Sequence, residues 1–365
     1  MSTMNPRIIA FYLPQYYPFK ENNEWWGTGF TEWTNVGRAK PLFKNHYQPR
    51  VPADLGYYDL RLPEVRIQQA QLAREAGVYG FCYWHYWFGN GKRLLERVFD
   101  EVLESGQPNF PFCLGWANHS WYAKTWDKYS KDKLLMEQIY GGKDDYISHF
   151  NYALKAFKDP RYIRIHNKPL FFIYDAMAVP TEFFCTWNEL AIKNGLDGIC
   201  FIGRIKDDNE CDDAIKKGFS FVSSERMNRI VSHRNLLTRR ICQIKNLILG
   251  RPINCYTYKE AYPFFINKDI DSRPSFIPSL IPNWDHSPRS QSRGIILHNS
   301  TPELFRKHIK DVLNLVKDRP QEEQIIFLKS WNEWGEGNYM EPDLKWGKKY
   351  IQALKNEIEI VTKEE

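Results

Sequence analysis

A chain of 365 residues with 43% apolar and 26% charged side chains has the make-up of an ordinary globular protein, which excludes a disordered or multispanning chain, and its length suits one elaborated α/β barrel. No run of about 18 apolar residues is available to cross a bilayer, and the apolar stretch IIAFYL (8–13) is too short for a secretory leader, so the chain reads as cytoplasmic. The formal charge of +6 is mild, although Arg226, Arg229, Arg234, Arg239, Arg240, Lys245 and Arg251 gather in one stretch; with no zinc-finger or RNP-like motif beside them, a solvated or anion-facing insertion is expected and nucleic acid is not.

In chain order, IIAFYL (8–13) is the first predicted strand, and it runs into Pro14-Gln15-Tyr16-Tyr17 rather than the glycine-rich turn of a dinucleotide fold. A long aromatic connection, 15–59, follows. LPEVRIQQAQLAREAG (62–77) predicts a helix with Val65, Ala70, Leu72, Ala73 and Ala76 as its apolar stripe and Gly77 as its stop. Further strands are predicted at GFCYWHYW (80–87), FPFCLGWA (110–117), PLFFIY (169–174), GICFIG (198–203) and FSFVSS (219–224). After a basic connection, 225–278, come a strand near SLIPNW (279–284), a helix over 301–318 and a last strand IIFLKSW (325–331). That helix starts with Thr301 as N-cap and Pro302 in the first turn, and it turns Leu304, Ile309, Leu313 and Val316 to one side. Eight strands alternating with helices predict a closed (β/α)₈ barrel, one catalytic domain over 1–365 with insertions at about 15–59 and 225–278.

Seven scattered cysteines with no CxxC pair read as reduced, buried thiols rather than a disulfide framework or zinc site. Aromatic residues make up 16% of the chain, and tryptophans beside polar residues suit the faces of sugar rings. Trp25, Trp26 and Trp33 in NEWWGTGFTEW (23–33), with Glu32, and Trp116 and Trp121 in WANHSWYAKTW (116–126) are therefore candidate pocket walls.

Barrel enzymes carry their chemistry at the C-terminal ends of the strands. His85, Asn118, His119, Asp175, Glu225, Asp285, His286, Asn332, Glu333 and Glu336 all fall at such ends. Glu333 follows the last strand directly, and Gly335 and Gly337 allow a turn tight enough to bring Glu336 back to the same space. A paired acid and carboxylate is the equipment of glycoside cleavage, and a wall of Trp331 and Trp334 would push the two pKa values apart.

WNEWGEGNYMEP (331–342) resembles the catalytic signature of glycoside hydrolase family 99, the endo-α-mannosidase and endo-mannanase family, and still more the WbsX proteins grouped with it. FYLPQYYP (11–18), WWGTGFTEWTNV (25–36), FCYWHYWF (81–88) and PNWDHSPR (282–289) match the WbsX pattern in order. The resemblance implies a (β/α)₈ barrel acting on an oligosaccharide or polysaccharide without metal or cofactor, and retention of configuration through a 1,2-anhydro sugar. It makes Glu333 the group that assists the 2-hydroxyl and Glu336 the acid/base, with Glu341 a substrate contact. The alternatives are a glycosyltransferase of surface-polysaccharide assembly, for which Asp269-Ile270-Asp271 is the one candidate metal-binding acidic pair, and a carbohydrate-binding protein without activity.

Overall fold

Parallel strands covered on both faces must be apolar throughout, and the predicted runs form such a sheet. The computed structural model describes residues 6–123, 132–232 and 236–363; Trp126 and Arg234 lie outside them. The strands are β1 (Arg7–Tyr12), β2 (Gly80–Trp87), β3 (Phe112–Trp116), β4 (Lys168–Ile173), β5 (Cys200–Arg204), β6 (Phe221–Ser223), β7 (Phe276–Ile277 and Ser279–Leu280) and β8 (Ile325–Leu328). Each pairs in parallel with the next, and β8 pairs with β1. The two halves of β7 close the ring: Phe276–Ile277 pairs with β6 and Ser279–Leu280 with β8. This strand begins earlier than predicted. Pro278 has no N–H to donate and interrupts the apolar run, but its carbonyl still accepts from Phe327 N at 3.0 Å.

Helices follow the strands: α1 (Lys20–Trp26) and α2 (Glu32–Arg38) in the first connection, then α3 (Pro63–Glu75), α4 (Glu96–Ser105), α5 (Lys143–Phe157), α6 (Thr181–Lys193), α7 (Cys211–Lys217), α8 (Leu236–Ile248), α9 (Ser287–Ser290), α10 (Pro302–Val316) and α11 (Lys349–Lys363). Thr301 caps α10 by accepting from Leu304 N at 3.3 Å. The α3 face that meets the barrel is less apolar than its sequence suggests, since Arg66 and Gln69 are buried beside Ala70 and Ala73.

Alternate residues of each strand point inwards. Inside the barrel Phe11 stacks on Trp84 at 4.7 Å and meets Phe172 at 4.8 Å and Phe327 at 5.1 Å, while Gly115 leaves room for the Trp84 ring. A second apolar cluster joins Met227, Ile230, Tyr258 and Phe265 of the basic insertion to Trp284 and Leu297 beyond it. Among the described residues no helix is long and apolar enough to cross a membrane.

Candidate active site

Beyond β8 the chain makes a hairpin, Asn332–Glu333 with Asn338–Tyr339, around a short turn at Trp334–Glu336. Asn332 fixes it to the neighbouring strand end: its Oδ1 accepts from Leu13 N at 2.7 Å and its Nδ2 donates to Leu13 O at 3.0 Å. Trp334 stacks on Tyr339 at 3.8 Å and donates its ring N–H to Glu341 at 2.6 Å. Gly337 takes a positive φ of 55°, as the turn requires, whereas Gly335 is needed for space: a Cβ there would lie 1.7 Å from Glu32 Oε1.

The two acids meet different neighbours. Glu333 is buried, with Lys329 Nζ 3.2 Å from its Oε2. Glu336 is partly open to the mouth, and its Oε1 accepts from Arg289 Nη1 at 2.6 Å and lies 3.5 Å from His286 Nε2. Arg289 is held in turn by a two-pronged bond to buried Glu32, at 2.9 and 3.0 Å. Burial raises the pKa of Glu333, more than Lys329 lowers it, and the charge of Glu336 adds to the rise. For Glu336 the burial effect is outweighed by Arg289, His286 and Lys329, which bring its pKa well down. Of the two acids, Glu333 is therefore the one that keeps its proton to the higher pH.

Tyr86, inward-facing on β2, has its pKa raised by burial and then by the charge of Glu333. It packs edge-on against Trp121 at 5.1 Å, and Trp121 meets Trp25 at 6.0 Å. Deeper in the mouth Phe11, Trp84, Tyr174, Arg204, Glu225 and Lys329 line a cavity, where Arg204 lies over the Tyr174 ring at 4.4 Å and grips Glu225 at 2.8 and 2.9 Å. His119 stands exposed at the rim against Tyr174, 4.8 Å between rings.

Of the residues read from the sequence, the structure brings together Glu32, Trp25, Trp121, His119, His286, Glu333 and Glu336. Trp26 is exposed beside Phe30. Trp33 backs the turn that carries Glu333 and Glu336, 5.7 Å from Trp334, and Trp334 itself is wholly buried. Two expectations need correction. His85 and Trp116 point outwards under α5: His85 Nε2 meets His149 Nε2 at 2.8 Å, and Trp116 packs on His149 and Phe183. The strand alternation that aims Trp84 and Tyr86 into the barrel aims these two away from it.

Several other polar candidates serve as braces. Asn118 has its amide committed to both backbone groups of Asp175 and to the Tyr140 hydroxyl, at 2.7 to 2.9 Å. Asp285 is buried among His46 Nε2 at 2.8 Å, Gln48 Nε2 at 2.7 Å and Ser287 N at 3.0 Å, with Arg50 3.8 Å away. Glu341 accepts from Gln69, Tyr58 and Trp334 at 2.6 to 2.9 Å behind the turn, and burial raises its pKa to about 7. Asp271, of the acidic pair, is taken up by Arg226 in a buried ion pair at 2.5 Å. Arg289, Lys329, Tyr86 and Arg204 were not singled out from the sequence. The one available signal was a lysine breaking an otherwise apolar buried strand, IIFLKSW.

A protein-family model described as Glycosyltransferase WbsX matches residues 8–354. The chain belongs to the WbsX family. This WbsX chain is 32% identical over 360 residues to the uncharacterized protein WxcX in two strains of Xanthomonas campestris pv. campestris, a match covering 97% of this chain and 50% of WxcX. It thus spans about half the length of these relatives. Among solved structures it is similar to the family 99 endo-α-mannosidase of Bacteroides thetaiotaomicron, with a TM-score of 0.60, 17% identity and 98% of each chain covered. It is also similar to a glycoside hydrolase-like protein, with a TM-score of 0.59, 15% identity, and 98% and 95% of the two chains covered. At these identities the structures show the barrel fold.

Proposed function

We propose that this WbsX chain is a retaining, endo-acting glycoside hydrolase whose reacting groups are Glu333 and Glu336. The observation that carries the reading is a pair of carboxylates three residues apart in the barrel mouth with opposite surroundings, burial raising the pKa of Glu333 and Arg289 lowering that of Glu336, together with a row of packed aromatic rings, Tyr86, Trp121 and Trp25, from the same end of the barrel. The fold shared with an endo-α-mannosidase supports it.

In this reading Glu333 accepts the proton of the sugar 2-hydroxyl as that oxygen attacks the anomeric carbon. Glu336 gives its proton to the departing oxygen. Water then opens the 1,2-anhydro sugar, losing a proton to Glu336, and O2 recovers its proton from Glu333, so configuration is retained overall. The reactive form needs Glu336 protonated and Glu333 ionised, the reverse of the order in which their pKa values are shifted. What is lost in population is offset in strength: Glu336, with the lower pKa, is the stronger acid, and Glu333, with the higher, the stronger base. Lys329 lies against Glu333 and steadies the charge that Glu333 carries before it takes the 2-hydroxyl proton and after it returns it.

The family's description favours a second reading, transfer of a sugar in surface-polysaccharide assembly. The deciding experiment incubates the protein with candidate oligosaccharides in ¹⁸O-water and follows the products by NMR and mass spectrometry, with and without a chelator. Cleavage with retained configuration, ¹⁸O at the new reducing end and no effect of the chelator is the expected result. Transfer from a nucleotide sugar without any hydrolysis would establish the second reading.

A further inference from the structure

Among the described residues eighteen large apolar side chains are exposed, and seven of them fall between Leu237 and Ile253, in α8 and the turn that follows. The cause is an inverted helix. Leu237, Ile241, Ile244 and Ile248 share one α8 face by their spacing of four, three and four residues, and they are 70%, 56%, 57% and 79% exposed, with Leu247 beside them at 77%. Asn246, on the opposite face, is buried and donates to the carbonyls of Ile253 at 3.2 Å and Cys255 at 2.8 Å. The helix is thus fastened by a polar residue and turns its apolar face away from the protein, the reverse of α10.

The surrounding charge has one sign. From Arg226 to Lys259 the sequence contains no Asp or Glu, and within α8 Arg240 and Lys245 flank the apolar face on either side, with Arg239 next to Arg240. Lys245 reaches Glu260 at 3.2 Å, while neither Arg239 nor Arg240 has an ion pair among the described residues. At thirteen residues α8 is too short to span a bilayer, but an apolar stripe between basic flanks is the pattern that lies in the interface of an anionic one. A second copy of the same helix would bring like charges together.

We infer that α8 is a docking face for an anionic lipid surface. Its apolar stripe enters the headgroup layer, and Arg239, Arg240 and Lys245 meet lipid phosphates. The insertion leaves the barrel from the C-terminal end of β6, and Arg251, just past α8, lies over the ring of Phe43 in the first connection at 5.4 Å. Docking would therefore hold the loops around the mouth close to the bilayer surface.

The test is sedimentation of the full chain with vesicles of phosphatidylcholine alone or with about one third phosphatidylglycerol, at low and high salt. Expected are binding to the anionic vesicles only and its weakening by salt. Arg239→Gln with Arg240→Gln should weaken binding about thirtyfold, and Ile244→Ser with Ile248→Ser about tenfold or more. These side chains are exposed, so both variants should melt like the parent. Lack of vesicle binding, equal binding to neutral vesicles, or variants that bind as the parent does would overturn the inference. So would a dimer by light scattering that the Ile244→Ser, Ile248→Ser variant abolishes, which would assign the face to a second copy.

Discussion

The carboxylate of Glu32 lies directly against the α-carbon of Gly335, in the space where any other residue would carry its Cβ. That contact joins the first connection to the turn of the two acids, because Glu32 also holds Arg289 and Arg289 holds Glu336. Gly335→Ala must push Glu32 aside. It should cost about 1–3 kcal/mol of stability and lower the rate about tenfold or more as Arg289 loses its seat. On a Glu32→Ala background the same change should cost little further stability, since the clash is gone. Melting curves of the four proteins check this; an equal loss on both backgrounds would show that Glu32 is not the obstacle.

Asp285 and His286 are adjacent in sequence and differ in what they serve. Removing Asp285 strands Arg50 and His46 in a buried site, so Asp285→Ala should destabilise the protein by about 3–5 kcal/mol. His286→Ala removes a neighbour of Glu336 while leaving the core intact, and should lower activity with a nearly unchanged melting temperature. Thermal melts beside rates for both variants separate the roles, and a stable Asp285→Ala would contradict the placement.

Glu341 gives a pH signature. Its pKa is raised by burial to about 7 in the folded protein, against an ordinary carboxylate value when unfolded. The folded state then holds the extra proton between these values, so this group's contribution to stability is complete below about pH 4.3, falls as pH rises, and is lost above about pH 7. Glu341→Gln should remove that slope from a plot of stability against pH. An unchanged slope would mean that the carboxyl does not titrate there.

Much of the barrel was legible because its periodicity is strong: β2 is an eight-residue run with no charge, and α10 carries its own cap. The position of the acidic turn was legible too, since Glu333 follows the last strand. The facing of β2 and β3 was not. Both sides of a parallel strand are covered, so composition does not tell Trp84 and Tyr86, which point in, from His85 and Trp87, which point out. Arg289 and Lys329 were missed for a related reason. Their partners Glu32 and Glu333 come from distant parts of the chain or lie across a turn, and pairings of that kind follow only from the closed ring.

The division of labour proposed for the two acids can be tested by leaving group. If Glu336 protonates the departing oxygen, Glu336→Gln should slow cleavage of a natural linkage by about 10²–10⁴-fold, the usual contribution of general acid catalysis. A substrate with an activated leaving group needs little protonation and should be largely spared. Glu333→Gln should slow both substrates alike, because each requires the 2-hydroxyl to be deprotonated. Both variants should keep their affinity for sugar, as Tyr86, Trp25 and Trp121 remain in place. Were Glu333, the acid with the raised pKa, the proton donor instead, the pattern would invert: Glu333→Gln would show the dependence on leaving group and Glu336→Gln would not. Rates of both variants on the two substrates, with sugar affinities measured alongside, distinguish these outcomes, and near-normal activity of either variant on the natural linkage would remove that residue from the reaction.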